Sequence, residues 1–115
     1  PSNTQFYRGR ALARIAVGRP RGALADGERM VRDAPQVGVS YFARGSARAA
    51  LGHDAAALRD LNEALGRSPE SVYIWEAHAA CSDRLGDHAG AHESRAEAER
   101  LAERGLARNP SPFRH

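Results

Sequence analysis

Small, apolar and aromatic positions recur along the chain at the spots that build a helical hairpin, and they recur with a shift of 34 residues. Tyr7, Tyr41 and Trp75 form one column, Gly18, Gly52 and Gly86 a second, and Ala23, Ala57 and Ala91 a third. Ala11, Gly45 and Ala79 add a small column, Met30, Ala64 and Ala98 another, and Pro35 and Pro69 close the first two units. A fixed period of this length means a stacked array of helical pairs. The pattern predicts first helices over 4–17, 38–51 and 72–85, each ending at a Gly suited to the left-handed conformation that terminates helices. Second helices are predicted over 20–33, 54–67 and 88–104. Pro20, Asp54 and Asp87-His88 stand at their starts, residue types that favour a first turn or its cap.

The columns also state how the hairpins pack. Ala23, Ala57 and Ala91 face the small column of the first helices, so two backbones can approach closely at one crossing. The aromatic column fills the gap where the helices diverge, and Leu24, Leu58, Leu61 and Leu65 add bulk. The first unit is the weak one, because Gly22 and Gly27 lie within its second helix at about 1 kcal/mol each relative to Ala. In the third unit Glu103 replaces the closing Pro. Charged residues continue from His92 to Ala107 between Ala91, Ala98, Leu101 and Leu106. This predicts a lengthened last helix acting as a polar cap, ended by Gly105 or Asn109-Pro110. The domain is expected to span 1–108, with a disordered tail over 109–115.

The order aromatic, small residue, Gly, Ala, Ala, Pro resembles the tetratricopeptide repeat (TPR) family, in units 4–37, 38–71 and 72–105. The middle unit, SYFARGSARAALGHDAAALRDLNEALGRSP, is the best match. It departs from the family pattern at Arg44, where Leu is usual, and at Arg48, where a large aromatic is usual; an Arg-Gly variant of this kind occurs widely in bacterial members. The resemblance implies an all-α, right-handed superhelical array of three antiparallel hairpins. It also implies a concave groove lined by the first helices, which receives a peptide or helix of a partner protein. Carried over by position, the lining is Gln5, Arg8, Leu12 and Ile15, then Val39, Phe42, Ser46 and Ala49, then Tyr73, Glu76, Ala80 and Asp83. Its centre is apolar and its ends are charged, with Phe42 and Tyr73 placed to clasp an apolar side chain, Arg8 a carboxylate, and Glu76 or Asp83 a basic group. One subset of the family holds the C-terminal carboxylate of heat-shock chaperones with Lys and Asn residues. Leu12, Ala43, Tyr73 and Ala77 stand at those positions here, so no clamp of that type is expected.

The departures have a reading of their own. Arg10 and Arg44 occupy equivalent places on first helices, as do Asp26 and Asp60 on the facing second helices. The third unit replaces both together, with His78 and Ser94. Partly desolvated ion pairs Arg10–Asp26 and Arg44–Asp60 are therefore expected inside their hairpins.

Composition narrows the function. The 115 residues are 42% hydrophobic and only 6% aromatic, which fits a core of many small contacts. Nothing approaches the roughly 20 apolar residues that span a bilayer, and no secretory leader is seen, so a soluble protein with the cytoplasm as default is expected, the periplasm remaining compatible. The net charge is +3 and the isoelectric point about 9.8. However, Arg is interleaved with Asp and Glu, as in Arg59-Asp60 and Glu103-Arg104, whereas a nucleic-acid footprint needs a one-signed face. No nucleic-acid partner is expected. All 17 basic residues are Arg, which suggests a high-GC bacterial genome. The chain opens at Pro1 without an initiator Met, which suggests an excised piece of a longer protein.

Catalytic signatures are absent. Cys81 has His78 three residues earlier, but its repeat equivalents are Ala13 and Ala47, so it reads as a small packed residue. His88 and His92 have the i, i+4 spacing that lets two imidazoles reach one metal ion, and Glu93 or Asp87 could add an oxygen. A metal site, however, needs three or four supported ligands, and the equivalent positions of the other repeats are Pro20, Leu24, Asp54 and Leu58. Neither metal nor cofactor is expected, and the chain is expected not to be an enzyme. The predicted function is a scaffold that captures a segment of another protein; the alternative is a peptide-responsive sensor domain of a larger protein. Self-association is left open by apolar residues around Phe6 and Ile15.

Overall fold

A computed structural model describes residues 18–108, with side chains through Gly105. It contains five helices among the described residues: α1 (Pro20–Asp33), α2 (Gly38–Ala50), α3 (Asp54–Arg67), α4 (Val72–Arg84) and α5 (His88–Arg108). The predicted helix over 4–17, with Phe6, Tyr7, Arg10 and Ala11, lies outside the described residues, as does the 109–115 tail. Each helix packs against its neighbours in the sequence, and α2 also touches α4, so the hairpins stack in order. No helix of the described residues is long and apolar enough to cross a membrane.

Gly52 and Gly86 end α2 and α4 with φ of +83° and +88°. The closing bonds follow from that conformation. The His53 N–H reaches back to the Arg48 carbonyl at 2.8 Å and the Gly52 N–H to Ala49 at 3.0 Å, which satisfies two carbonyls the helix would leave bare. The Asp87 N–H repeats the first of these to Ser82 at 2.8 Å. Pro20 begins α1, and the Asp87 carboxylate accepts the Gly90 N–H at 2.9 Å to start α5. At the closing of α3 the Ser68 N–H bonds Ala64 at 2.8 Å before Pro69 prevents further helix.

The core has two parts. Between α1 and α2 it consists of Ala23, Met30, Ala43 and Ala47, with Leu24 and Val39 against them. Between α2, α3 and α4 it is larger: Ala57, Leu61, Ala64, Ile74 and Cys81, flanked by Tyr41, Phe42, Leu58 and Leu65. Gly45 explains the small column, since a Cβ there would lie 3.0 Å from Asp60 Cβ and 3.2 Å from the Ala57 carbonyl.

One expectation changes. Gly27 is not a defect of α1: a Cβ on it would sit 2.6 Å from the Arg44 Cα, so the close approach of α1 to α2 requires the glycine. The last helix is lengthened as expected: it runs 21 residues, past 104 and through Gly105 to Arg108, the later of the two expected ends, just before Asn109-Pro110. Glu103 stands where the closing Pro would be, so the helix passes that point, and its buried face thins from Ala91, Ser94 and Ala98 to the exposed 102–105.

Candidate peptide-binding groove

Three of the predicted lining residues meet at one place. Val39 and Phe42 of α2 and Tyr73 of α4 line a cavity of about 160 Å³ together with Ser68, Glu70, Ser71 and Ile74. The start of α4 fixes this geometry. Ser71 caps the helix, its hydroxyl accepting the Ile74 N–H at 3.4 Å, and Ile74 is buried while its neighbour Tyr73 points outward and is 75% exposed. Phe42 is half-buried against the larger core cluster, so its ring is held in place while its edge remains available.

The remaining lining residues are dispersed. Ser46 and Ala49 lie further along α2 and Ala80 further along α4, all half-buried and none in this cavity. Glu76 is exposed and lines a second cleft of about 360 Å³ with Val72, Arg95, Ala98, Glu99 and Ala102. Asp83 is engaged from within the protein: His88 Nδ1 lies 2.8 Å from one carboxylate oxygen, and Arg95 donates to the other. The hydrogen bonds from His88 and Arg95 hold its carboxyl below the usual range. Gln5, Arg8, Leu12 and Ile15 lie outside the described residues.

The Arg–Asp reading meets a richer arrangement on the neighbouring surface. Arg44 grips Asp60 with two bonds, Nε to Oδ2 at 3.0 Å and Nη2 to Oδ1 at 2.8 Å. Arg48 adds a third, Nη1 to Oδ2 at 2.8 Å. Asp60 is 3% exposed, and its hydrogen bond holds the Arg44 guanidinium even more firmly protonated than usual. The sequence reading missed Arg48. Its signal was the joint recurrence of Arg14 and Arg48 with Asp26 and Asp60, and the joint change to Ser82 and Ser94. Asp26 is buried at 2%, and Arg10 and Arg14 lie outside the described residues. Tyr41 sits beside this cluster, with the Arg67 guanidinium 4.4 Å and that of Arg44 5.8 Å from its ring centre.

The third unit keeps the contact in neutral form. His78 Nδ1 is 2.8 Å from Ser94 Oγ, and its Nε2 is 2.9 Å from Asn62 Oδ1. A carbonyl oxygen only accepts, so Nε2 carries the proton and Nδ1 accepts from the serine hydroxyl. Burial lowers the His78 pKa, which favours this uncharged form.

No reactive pair emerges. His78 is committed to Ser94 and Asn62, while Cys81 is buried, its thiol pKa raised by desolvation, with Arg84 Nη2 donating to Sγ at 3.3 Å. His88 is paired with Asp83 and His92 is exposed. Among the described residues, no three His, Cys, Asp or Glu side chains gather as metal ligands. What the surface offers is an apolar recess with an aromatic rim, suited to non-covalent contact.

No protein-family model matches the sequence, and no curated relative matches it. Solved structures do match. The chain is similar to MamA of strain MSR-1, at 23% identity and TM-score 0.76, covering 90% of this chain and 59% of that one. It is similar to MamA from Desulfovibrio magneticus RS-1, at 20% identity and TM-score 0.79, covering 96% and 60%. It is also similar to the TPR2B domain of yeast Sti1 in complex with an Hsp70 peptide, at 21% identity and TM-score 0.80, covering 91% and 87%. The chain thus spans about three fifths of the MamA structures it matches. The columns, the hairpin stack and these likenesses agree: the chain has the fold of a tetratricopeptide-like helical repeat.

Proposed function

We propose that this chain is a non-catalytic protein-interaction module that takes a segment of a partner protein along the concave face of its first helices. The observation that carries this reading is the open recess at Val39, Phe42 and Tyr73, whose rim is the most exposed large apolar side chain described. Exposed aromatics over a partly apolar recess are the side chains that dominate protein–protein contacts. The likeness to a domain in complex with an Hsp70 peptide supports a peptide as the kind of ligand.

The ligand fits as an aliphatic or aromatic side chain in the recess with a basic residue beside it, drawn by the exposed Glu70 and Glu76. Asp83 takes no part, being occupied by His88 and Arg95. Arg8 serves a carboxylate at the other end. Binding of the chaperone-clamp type is not proposed: Leu12 and Ala77 are apolar, Tyr73 replaces a basic residue, and Ala43 is buried.

Peptides selected from a displayed random library on the intact chain, then titrated by fluorescence anisotropy, test this. Tyr73→Ala and Phe42→Ala are each expected to weaken the selected peptides about tenfold or more, the loss of one aromatic contact of 1.4 kcal/mol or above. Unchanged affinity in both variants would remove the groove from the function.

A further inference from the structure

The aromatic residue of the middle unit carries a guanidinium that the aromatic residue of the third unit lacks. Arg67 stands over the Tyr41 ring, its guanidinium carbon 4.4 Å from the ring centre. It is held there by two bonds, Nε donating to the Pro35 carbonyl at 3.1 Å and Nη1 to Glu63 Oε2 at 2.6 Å. An aromatic face, a carboxylate and a backbone carbonyl thus make a guanidinium seat. One repeat later the aromatic residue is Trp75 and the carboxylate Glu97, but Leu101 stands in the place of Arg67. Among the described residues no guanidinium lies over Trp75. A cavity of about 420 Å³ opens beside it instead, lined by Trp75, His78, Asp87, Glu93, Glu97 and Arg100.

The walls of this crevice are fixed in place and acidic. The Trp75 indole is pinned at two points, Nε1 donating to the Pro69 carbonyl at 2.7 Å and the His78 ring standing edge-on with centres 6.2 Å apart. With His78 neutral between Ser94 and Asn62, Arg100 is the one cation lining it, against Asp87, Glu93 and Glu97. Both bonds of Arg100 go to Oε2 of Glu97, which leaves Oε1 to accept from a ligand, and Glu93 is exposed. In the middle unit Arg59 stands at the place of Glu93 and Arg44 at that of His78, so the filled seat is also the one richer in arginine. The crevice lies off the surfaces along which units stack. Its counterparts Arg59, Glu63 and Arg67 are exposed in the middle unit, although α1 packs on one side of that unit and α4 on the other.

We propose that this crevice binds an arginine side chain of a partner protein. The incoming guanidinium stacks on Trp75 and pairs with Glu97 Oε1 and Glu93, as that of Arg67 stacks on Tyr41 and pairs with Glu63. A guanidinium suits the site better than an ammonium, because its flat, weakly hydrated group stacks on an aromatic face while its forked N–H groups meet carboxylates. The carboxylates stand at the open rim, so the contact weakens with salt. This site is separate from the groove of Val39, Phe42 and Tyr73, since the two cavities share no lining residue. Either can therefore fail without the other.

Trp75 is the one tryptophan of the chain, so its indole N–H gives a single nuclear magnetic resonance signal at the site itself. N-acetyl-arginine amide, titrated into the whole chain at low salt, is expected to shift that signal saturably in the millimolar range, as one cation–π contact with exposed ion pairing provides. The lysine amide is expected to bind about threefold more weakly or worse, and the citrulline amide, an uncharged isostere of arginine, not to bind. Two variants act on the seat without touching the indole. Glu93→Arg, at an exposed position, installs the arginine of the middle unit and is expected to weaken the arginine amide about fivefold or more by reversing one charge. Leu101→Arg supplies the missing guanidinium from within, and is expected to abolish binding and to shift the indole signal before any ligand is added. Both are checked for unchanged far-ultraviolet circular dichroism, and if Leu101→Arg does not fold, Glu93→Arg decides alone. An indole signal that does not move with arginine amide would overturn the inference. So would equal binding of the lysine or citrulline amide, or undiminished binding by Glu93→Arg.

Discussion

Asp60 carries one negative charge into a site that is 3% exposed and receives three hydrogen bonds from two guanidinium groups. Its removal strands both arginines, and breaking a buried ionic cluster by deleting one partner costs about 3–5 kcal/mol. Asp60→Ala is therefore expected to lower the urea unfolding free energy by that order. The third unit shows the alternative solution. Exchanging Arg44, Arg48 and Asp60 together for the His, Ser and Ser of the third unit is expected to cost less than Asp60→Ala alone. If the triple variant unfolds more easily than the single one, the cost lies in packing and not in stranded charge.

His78 gives a second residue-level test, through pH. Its folded-state pKa is lowered by burial below the ordinary 6.5, so the unfolded chain binds a proton first as pH falls. The stabilisation held by the neutral imidazole between Ser94 and Asn62 is thus fully present above pH 6.5 and is lost as pH falls through the depressed value. His78→Gln cannot titrate. Chemical denaturation of both proteins over pH 5 to 8 is expected to show a steeper decline towards acid in the parent chain; parallel curves would mean that this histidine is not coupled to folding.

At the level of the helices, two glycines separate packing from propensity. Gly27 and Gly66 both lie within helices, where glycine ordinarily costs about 1 kcal/mol relative to alanine. A Cβ on Gly66 meets nothing within 4 Å, while one on Gly27 meets the Arg44 backbone at 2.6 Å. Gly66→Ala is expected to raise the melting midpoint and Gly27→Ala to lower it, readable by circular dichroism. The contrast also marks what a one-dimensional pattern can carry. Helix ends at Gly52, Gly86 and Pro69 were legible because the stop signal is local to the chain, and the ends fall within one residue of expectation, that of α5 at the later of its two expected stops. The meeting of Val39, Phe42 and Tyr73 was legible because the period sets which residues of adjacent first helices stand side by side. Gly27 was not, since its need depends on how near another helix passes. Nor was the engagement of Asp83, because the turn at Gly86 is what brings His88 and Arg95 back onto it.

In a stack where each unit touches only its neighbours, stability is a sum of local terms and need not be even along the molecule. Here the terms are unequal. The seam between α3 and α4 holds Leu61, Ile74 and Cys81 with Leu58, Leu65, Tyr41 and Phe42 around them. The seam between α1 and α2 has Met30 as its one large buried apolar side chain. Buried positions of α5 are Ala91, Ser94 and Ala98, which release little apolar area from water. Among the described residues the stack is thus strongest between α3 and α4, and opening should begin in α1 and at the end of α5. Native-state hydrogen exchange is expected to find the slowest amides in α3 and the middle of α4, faster ones in α1, and the fastest over 101–108. Leu61→Ala, at about 2–5 kcal/mol for a fully buried leucine, should lower protection in α3 and α4 first. Equal protection across all five helices would instead make the array a single cooperative unit. In that case the Asp60 and His78 clusters, which tie first helices to second across the stack, would matter more to the whole than the seams between units.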